Sequence, residues 1–185
     1  MVAAHRWIAV VLATAILLTT YSSVATAASF AVVGPPSISA AQINRDLCRR
    51  GSPLCGQGVI LWQEAADAGV DPGVLYALFV LESNAATDGG LSLKLKNVGN
   101  VRGCDKWPGQ CVAGYRKYAT WRGGASDLAH VLATTYRRHN VYTMQAAYAP
   151  AGDCAGVGDK RVCNDPTARG RTALRLLRQW QAEDK

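Results

Sequence analysis

Six cysteines occur as three close pairs along the chain, and this spacing limits how the chain can fold. The pairs are Cys48 with Cys55, Cys104 with Cys111, and Cys154 with Cys163. An even number of closely spaced cysteines is typical of a disulfide framework formed in an oxidising compartment, although the sequence does not exclude other pairings. We therefore predict three disulfides that each close a short loop.

The start of the chain has the three parts of a secretory leader. His5 and Arg6 precede an apolar run at residues 7–18, and small residues end at Ala27. The run is too short for a permanent bilayer span, and the Ala-x-Ala ending suits a signal peptidase. We expect residues 1–27 to be a signal peptide cleaved after Ala27, so that the protein is secreted. The alternative is an uncleaved N-terminal anchor.

Removing that leader from the 185 residues would leave 158, which is the size of one domain. Residues 28–47 are mostly small, contain proline and have weak patterning, so we expect a flexible, exposed segment followed by a single domain at residues 48–185. Only Arg6 among the charged residues lies in the leader, so the formal charge falls from +7 to +6. A basic exported chain suits an acidic extracellular polymer, either nucleic acid or a cell-wall polymer with carboxylates and phosphates.

Metal binding is not expected. The cysteine spacings are not of the C-x-x-C type, and the spacing of His130 and His139 gives no helical ligand face. We predict no metal and no cofactor.

Helical signals begin near Gly58. VILWQEAADAG at residues 59–69 has helical periodicity, and Gly69 suits a left-handed helix end. Asp71 can cap the next helix and Pro72 suits its first position. The apolar residues that follow, at 74–81, lie nearly all round this helix, which predicts that it is buried.

Three further helices and a small β element complete the predicted domain. Apolar residues at helical spacing indicate one helix at residues 125–136 and a short one at residues 144–148. Asp165 and Pro166 predict the start of the last helix, whose apolar stripe runs to Trp180. Residues 97–102 and 115–118 are plausible extended pieces that could pair as a small antiparallel sheet. The fold class predicted is mainly α (α+β).

The context of Glu82 differs from that of the other two glutamates. Glu64 lies on a polar helix side and Glu183 in the polar C-terminal tail, whereas Glu82 stands over Leu78 and Phe79 one turn earlier. Apolar surroundings and the negative end of the helix dipole both favour a neutral carboxyl group. A general acid needs this form to protonate a glycosidic oxygen. The alternative is a helix-end glutamate whose carboxylate reaches water.

Four segments resemble, in the same order, motifs of bacterial cell-wall endo-β-N-acetylglucosaminidases (glycoside hydrolase family 73-like) and related enzymes of the lysozyme-like superfamily. They are VLYALFVLESNA around Glu82, NVGNVRG at residues 97–103, YRKYATWRGGASDLAHVL at 115–132, and AAYAPAGD at 146–153 with NDP at 164–166. The resemblance covers about residues 58–180. It implies a lysozyme-like helical domain and a glycosidase that cleaves β-1,4 bonds of N-acetylglucosamine-containing strands in peptidoglycan.

The resemblance assigns the general-acid role to Glu82 and places Tyr148 near the cleaved bond. The polar residues that match the family's motifs become candidate contacts to sugar hydroxyl or acetamido groups, and the matching aromatic residues become candidate faces for sugar rings. These substrate-binding candidates are Ser83, Asn97, Asn100, Tyr118 and Trp121, with Arg102 and Trp107 as weaker ones. Gly99 would allow a tight or left-handed turn between the two asparagines.

The chain departs from that family at the second carboxylate. Many of these glucosaminidases carry another glutamate in the β region, but no glutamate lies between Glu82 and Glu183. Asp153 is the first candidate for positioning water, with Asp88 and Asp105 behind it. Inverting hydrolysis needs a base about 6.5–9.5 Å from the acid, whereas participation by the substrate's acetamido group needs no protein nucleophile.

Two alternatives stay open. A lytic transglycosylase also works with one glutamate, but the Gly-Leu-Met-Gln type segment expected downstream is absent. A noncatalytic cell-wall-binding module of the same shape would explain the missing glutamate. In either case we expect a cell-wall-associated monomer that binds peptidoglycan or a related polymer, without nucleic acid and without stable membrane insertion.

Overall fold

The structure is a computed structural model that describes residues 30–105, 107–155 and 162–183. The predicted signal peptide at residues 1–27 lies outside the described residues. Within the described ranges, no helix has the length and apolar character that a membrane span requires.

Seven helices lie in the described part of the chain. They are α1 (Ala40–Arg49), α2 (Gly58–Asp67), α3 (Pro72–Ser83), α4 (Leu91–Leu95), α5 (Trp121–Thr135), α6 (Val141–Tyr148) and α7 (Pro166–Ala182). The predicted N-caps are in place. The side chain of Asp71 accepts a hydrogen bond from the backbone N–H of Gly73, and the side chain of Asp165 accepts one from the backbone N–H of Ala168. These local bonds fix where α3 and α7 begin.

Two short antiparallel hairpins accompany the helices. β1 (Cys111–Val112) pairs with β2 (Tyr115–Arg116), and β3 (Cys154–Ala155) pairs with β4 (Val162–Cys163). The prediction that residues 97–102 form the partner strand of β2 is wrong, apart from one isolated bridge between Arg102 and Tyr115. Positive φ angles of 51° at Ala113 and 80° at Gly114 make a tight turn, so β2 pairs with the strand immediately before it.

All three predicted disulfides are present. Cys48 bonds to Cys55, Cys104 to Cys111 and Cys154 to Cys163. The last pair joins directly opposite residues of β3 and β4. A mainly helical α+β domain with three short-loop disulfides is therefore confirmed, and the disulfides are typical of a protein from an oxidising compartment.

The segment before the first cysteine differs from the prediction of a flexible, exposed stretch at residues 28–47. From residue 30 onward it contributes to the core: Val32 and Ile43 are fully buried, and Ser39 with Gln42 forms a capping box at the start of α1. The backbone of Val32 also bonds to that of His139 and Asp71. Apolar residues make up half of residues 30–47, and long-range backbone pairing and α1 hold this segment in the domain.

The centre of the domain is α3. Every residue from Val74 to Phe79 is fully buried, as the apolar pattern predicts. α3 packs against α2, α5 and α7, and Tyr76 lies 4.8 Å from Trp180 between ring centroids. A buried helix therefore carries Glu82 in its last turn.

Candidate active site at the end of the central helix

Glu82 lies in the last turn of α3, where the chain leaves the core through an unusual turn. Asn84, Ala85 and Ala86 follow with φ angles of 46°, 58° and 66°. Left-handed backbone is unfavourable for residues with a Cβ, and it persists only where surrounding contacts impose it. Here the hydroxyl of Ser52 donates to the carbonyl of Ala85 at 2.7 Å. The turn directly after Glu82 is thus held in one shape.

Two elements bring polar groups to the Glu82 carboxylate, and a third supports one of them. Arg169, in the first turn of α7, donates from Nη2 to Oε1, and the amide of Asn100 donates to Oε2 at 3.3 Å. The same amide donates to the backbone carbonyl of Glu82 at 3.0 Å. Gln145 of α6 accepts a hydrogen bond from Nε of Arg169 at 3.3 Å. The carboxylate is therefore held between α7 and the loop after α4.

Burial raises the pKa of the Glu82 carboxyl above its ordinary value, and Arg169, Asn100 and Arg102 oppose that rise without cancelling it. The side chain is only 15% exposed. The ion pair with Arg169 favours the charged form, whereas the buried Leu78 and Phe79 on the preceding turn remove water from the surroundings. Burial has the larger effect, so the carboxyl group holds its proton to higher pH than a surface glutamate.

Tyr148 lies near enough to Glu82 for their charges to interact. Its hydroxyl donates to the carbonyl of Gly99, and its ring packs against Tyr136 at 5.6 Å between centroids. Burial raises the pKa of Tyr148 well above its ordinary value, and the nearby charge of Glu82 raises it further. The phenol therefore keeps its proton, which it donates to the carbonyl of Gly99.

Gly99 is required for space and not for the left-handed turn that the sequence predicts. The positive φ of 51° belongs to Asn100. A Cβ on Gly99 would lie 2.6 Å from Cδ1 of Leu128 and 2.8 Å from the hydroxyl oxygen of Tyr148. The close approach of this loop to α5 and α6 explains the glycine.

Asn100 carries an unsatisfied acceptor. Its Nδ2 is used by Glu82, whereas Oδ1 is buried and has no hydrogen-bond partner in the described structure. A buried acceptor without a partner is costly. An N–H or O–H group of a ligand could satisfy it next to the Glu82 carboxyl.

Ser83 and Asn97 do not fit their predicted role as sugar contacts, because both are buried and used internally. The Ser83 hydroxyl donates to the carbonyl of Phe79 at 3.2 Å and accepts from the backbone N–H of Ala86 at 3.0 Å. Asn97 is fully buried, and its Oδ1 accepts from the backbone N–H of Val101 at 2.7 Å. Their bonds shape the walls of the site and leave little for a substrate.

The predicted aromatic platforms take part in packing. Tyr118 is 7% exposed and donates to Asp127, and its ring meets Trp107 edge-on at 5.4 Å. Trp121 is half-buried at the start of α5, with its ring 6.2 Å from that of Phe79. Trp107 also stacks under a guanidinium group, 4.8 Å from the Cζ of Arg116. These are packing contacts, and they do not leave an open face for a sugar ring on Tyr118.

Among the described residues, no second carboxylate contacts Glu82. Asp153 is exposed. The pKa of Arg102 is raised mainly by a hydrogen bond to Tyr115, and the charges of Asp153 and Glu82 raise it further. Asp88 is bonded to the backbone N–H of Gly90 at 2.9 Å, as a turn aspartate would be. Asp105 is exposed in the loop closed by the second disulfide. Of these aspartates, the arrangement links only Asp153 to the Glu82 site, through Arg102.

Arg169 is the residue of this site that the sequence does not reveal. It stands 87 positions after Glu82 and in a helix that contains several other arginines. Its place four residues after the Asp165 cap could have marked it as part of the first turn, but nothing local indicates a carboxylate partner.

Within the described ranges, no group of three or more histidine, cysteine or acidic side chains could hold a metal ion. No protein-family model matches the chain, and neither the curated proteins nor the solved structures contain a match. The chemistry of the site must therefore be inferred from its own residues.

Proposed function

We propose that the protein is a secreted, cell-wall-associated glycosidase that cleaves β-1,4 bonds of N-acetylglucosamine-containing strands in peptidoglycan, with Glu82 as the general acid. The observation that carries this proposal is a largely buried carboxyl group with a raised pKa at the end of a buried helix. The neutral phenol of Tyr148 interacts with this carboxyl group, and the unpaired amide oxygen of Asn100 belongs to the side chain that contacts it. Uncharged polar groups of this kind suit a polar, uncharged sugar better than an ionic ligand.

In the proposed reaction, protonated Glu82 donates its proton to the glycosidic oxygen while the bond to the anomeric carbon breaks. The carboxylate formed in this step then accepts hydrogen bonds from Arg169 and Asn100. Because these donors interact more strongly with the charged form, they stabilise the state that follows proton transfer. Arg169 is thus a positioning residue, which Gln145 holds in place.

Attack on the anomeric carbon can follow either of two routes, by a water that an aspartate positions or by the acetamido group of the substrate. The side-chain groups that contact Glu82 are a guanidinium and an amide, neither of which can act as a base or nucleophile in this position. A base for inverting hydrolysis would stand about 6.5–9.5 Å from the acid and would not contact Glu82. Asp153 stays the candidate for positioning water, since its charge and that of Glu82 both act on Arg102.

The lack of a glutamate between Glu82 and Glu183 supports a second candidate, a lytic transglycosylase, in which a hydroxyl of the substrate attacks and Glu82 serves as both acid and base. A noncatalytic wall-binding module would use the same residues without proton transfer. The three candidates differ in their products, so one digestion separates them.

The test is digestion of purified peptidoglycan followed by mass analysis of soluble fragments. We expect fragments with N-acetylglucosamine at the reducing end from the wild type and none from Glu82→Gln. Anhydromuramic ends would assign the transglycosylase, and no fragments from the wild type would assign the binding module. Glu64→Gln is the matched control, because the side chain of Glu64 is 15% exposed, like that of Glu82, and is also paired with an arginine, Arg122. It should digest like the wild type.

A further inference from the structure

The solvent face of α7 carries three arginines in a row. At about 100° per residue, Arg171, Arg175 and Arg178 fall within an arc of about 60° and span about 10 Å of helix length. The opposite face carries Ala173, Leu177 and Trp180, which are buried in the core. The three arginines are exposed, and with Leu174 and Gln179 they line an open groove.

No acidic side chain of the described residues neutralises this face. Five other arginines each pair with a carboxylate: Arg49, Arg50, Arg116, Arg122 and Arg169. By contrast, the three arginines on the outer face of α7 form no ion pair or hydrogen bond with any described residue. Like charges spaced three and four residues apart on a helix repel one another. An anion spanning the three would relieve that repulsion.

The shape and composition of the face identify the class of anion. Repeated charges along an open groove suit a linear polymer more than a single small anion. Bases of a single-stranded nucleic acid are held by stacking on aromatic side chains, and none lines this groove. Insertion into a membrane needs an apolar face, whereas Leu174 is the one apolar residue that lines the groove, and it is half-buried.

We propose that Arg171, Arg175 and Arg178 bind a linear polymer of phosphodiester-linked polyols. Guanidinium groups donate paired hydrogen bonds to phosphate oxygens, so successive arginines can contact successive phosphates. The surface faces away from Glu82, which is paired with Arg169 on the opposite side of α7. It would hold the protein on an anionic polymer while the Glu82 site stays free.

The probe is a poly(glycerol phosphate) chain, and its affinity is measured by titration calorimetry at 50 and 200 mM salt. With three phosphate contacts, the wild-type affinity should fall about 20-fold over this range, as expected for release of counterions. The triple variant Arg171→Gln/Arg175→Gln/Arg178→Gln should bind more weakly at 50 mM and lose most of this salt dependence. Glu82→Gln should bind like the wild type, because the surface does not depend on the proposed catalysis.

A matched triple variant removes the same charge elsewhere. Lys94, Arg137 and Arg138 are exposed and lie outside α7. Their replacement by glutamine should leave affinity within about twofold of the wild type. Equal loss in both triple variants would overturn the proposal, since net charge alone would then explain binding. An oligonucleotide with the same number of phosphates, or anionic vesicles, binding more than tenfold tighter than the polymer would overturn it as well.

Discussion

Arg169 in the first turn of α7 pairs with the carboxylate of Glu82 at the end of α3, so a fixed cation faces the proposed proton donor from 87 positions away in the sequence. This pairing favours the charged form of Glu82, whereas burial favours the neutral form. The balance between the two sets the pH range in which Glu82 can act as an acid.

Replacing Arg169 should therefore change the titration of Glu82. In Arg169→Gln the positive charge that lowers the pKa of Glu82 is gone, so its pKa should rise. A general acid is active below its pKa, so the alkaline limb of the pH–rate profile should move to higher pH. Carbon NMR titration of the Glu82 carboxyl group gives the same pKa without relying on activity. Arg169→Lys, which keeps the charge, should stay closer to the wild type; a pKa that falls in Arg169→Gln would contradict this account.

Gly99→Ala should destabilise the domain, because its Cβ would lie 2.6 Å from Leu128 and 2.8 Å from Tyr148. Overpacking of this kind costs about 1–3 kcal/mol. The free energy of unfolding, measured with denaturant, checks the loss. Gly34→Ala is the control, since nothing lies within 4 Å of its added Cβ, and it should change stability by less than about 0.5 kcal/mol. Equal stability of the two variants would show that the loop around Gly99 has room to move.

Ser83→Ala should also lower stability, by about 1–3 kcal/mol, because the buried N–H of Ala86 would lose its acceptor. Affinity for glycan fragments should change little, since the hydroxyl is turned into the protein. Unchanged stability together with weaker glycan binding would restore the role of a sugar contact for Ser83.

Features set by neighbouring residues could be predicted from the sequence. The caps at Asp71 and Asp165, the buried surface of α3 and the three disulfides all depend on residues close together in the chain. The exposed context expected for residues 30–47 was wrong because their burial depends on contacts with distant segments, such as the bond from Val32 to His139. The partner of β2 was wrong for the opposite reason, since a local turn at Ala113 prevailed over a longer-range pairing.

The candidate site shows the same division. The position of Glu82 at the end of an apolar helix is a local property, and so is the raised pKa that Leu78 and Phe79 imply. Polar residues near it in sequence were harder to assign, because Ser83 and Asn97 turn inward to satisfy backbone groups. Arg169 reaches the site only through the packing of α7 on α3 and α6.

The most direct test of the account is the initial rate at which soluble glycan fragments are released from peptidoglycan by Glu82→Gln and by the wild type. Both proteins should have the same circular dichroism spectrum and no free thiol, so that a difference in rate reflects chemistry. Loss of a general acid should lower the rate by about 100- to 10,000-fold. Equal rates for the two proteins would contradict the role of Glu82 as the proton donor.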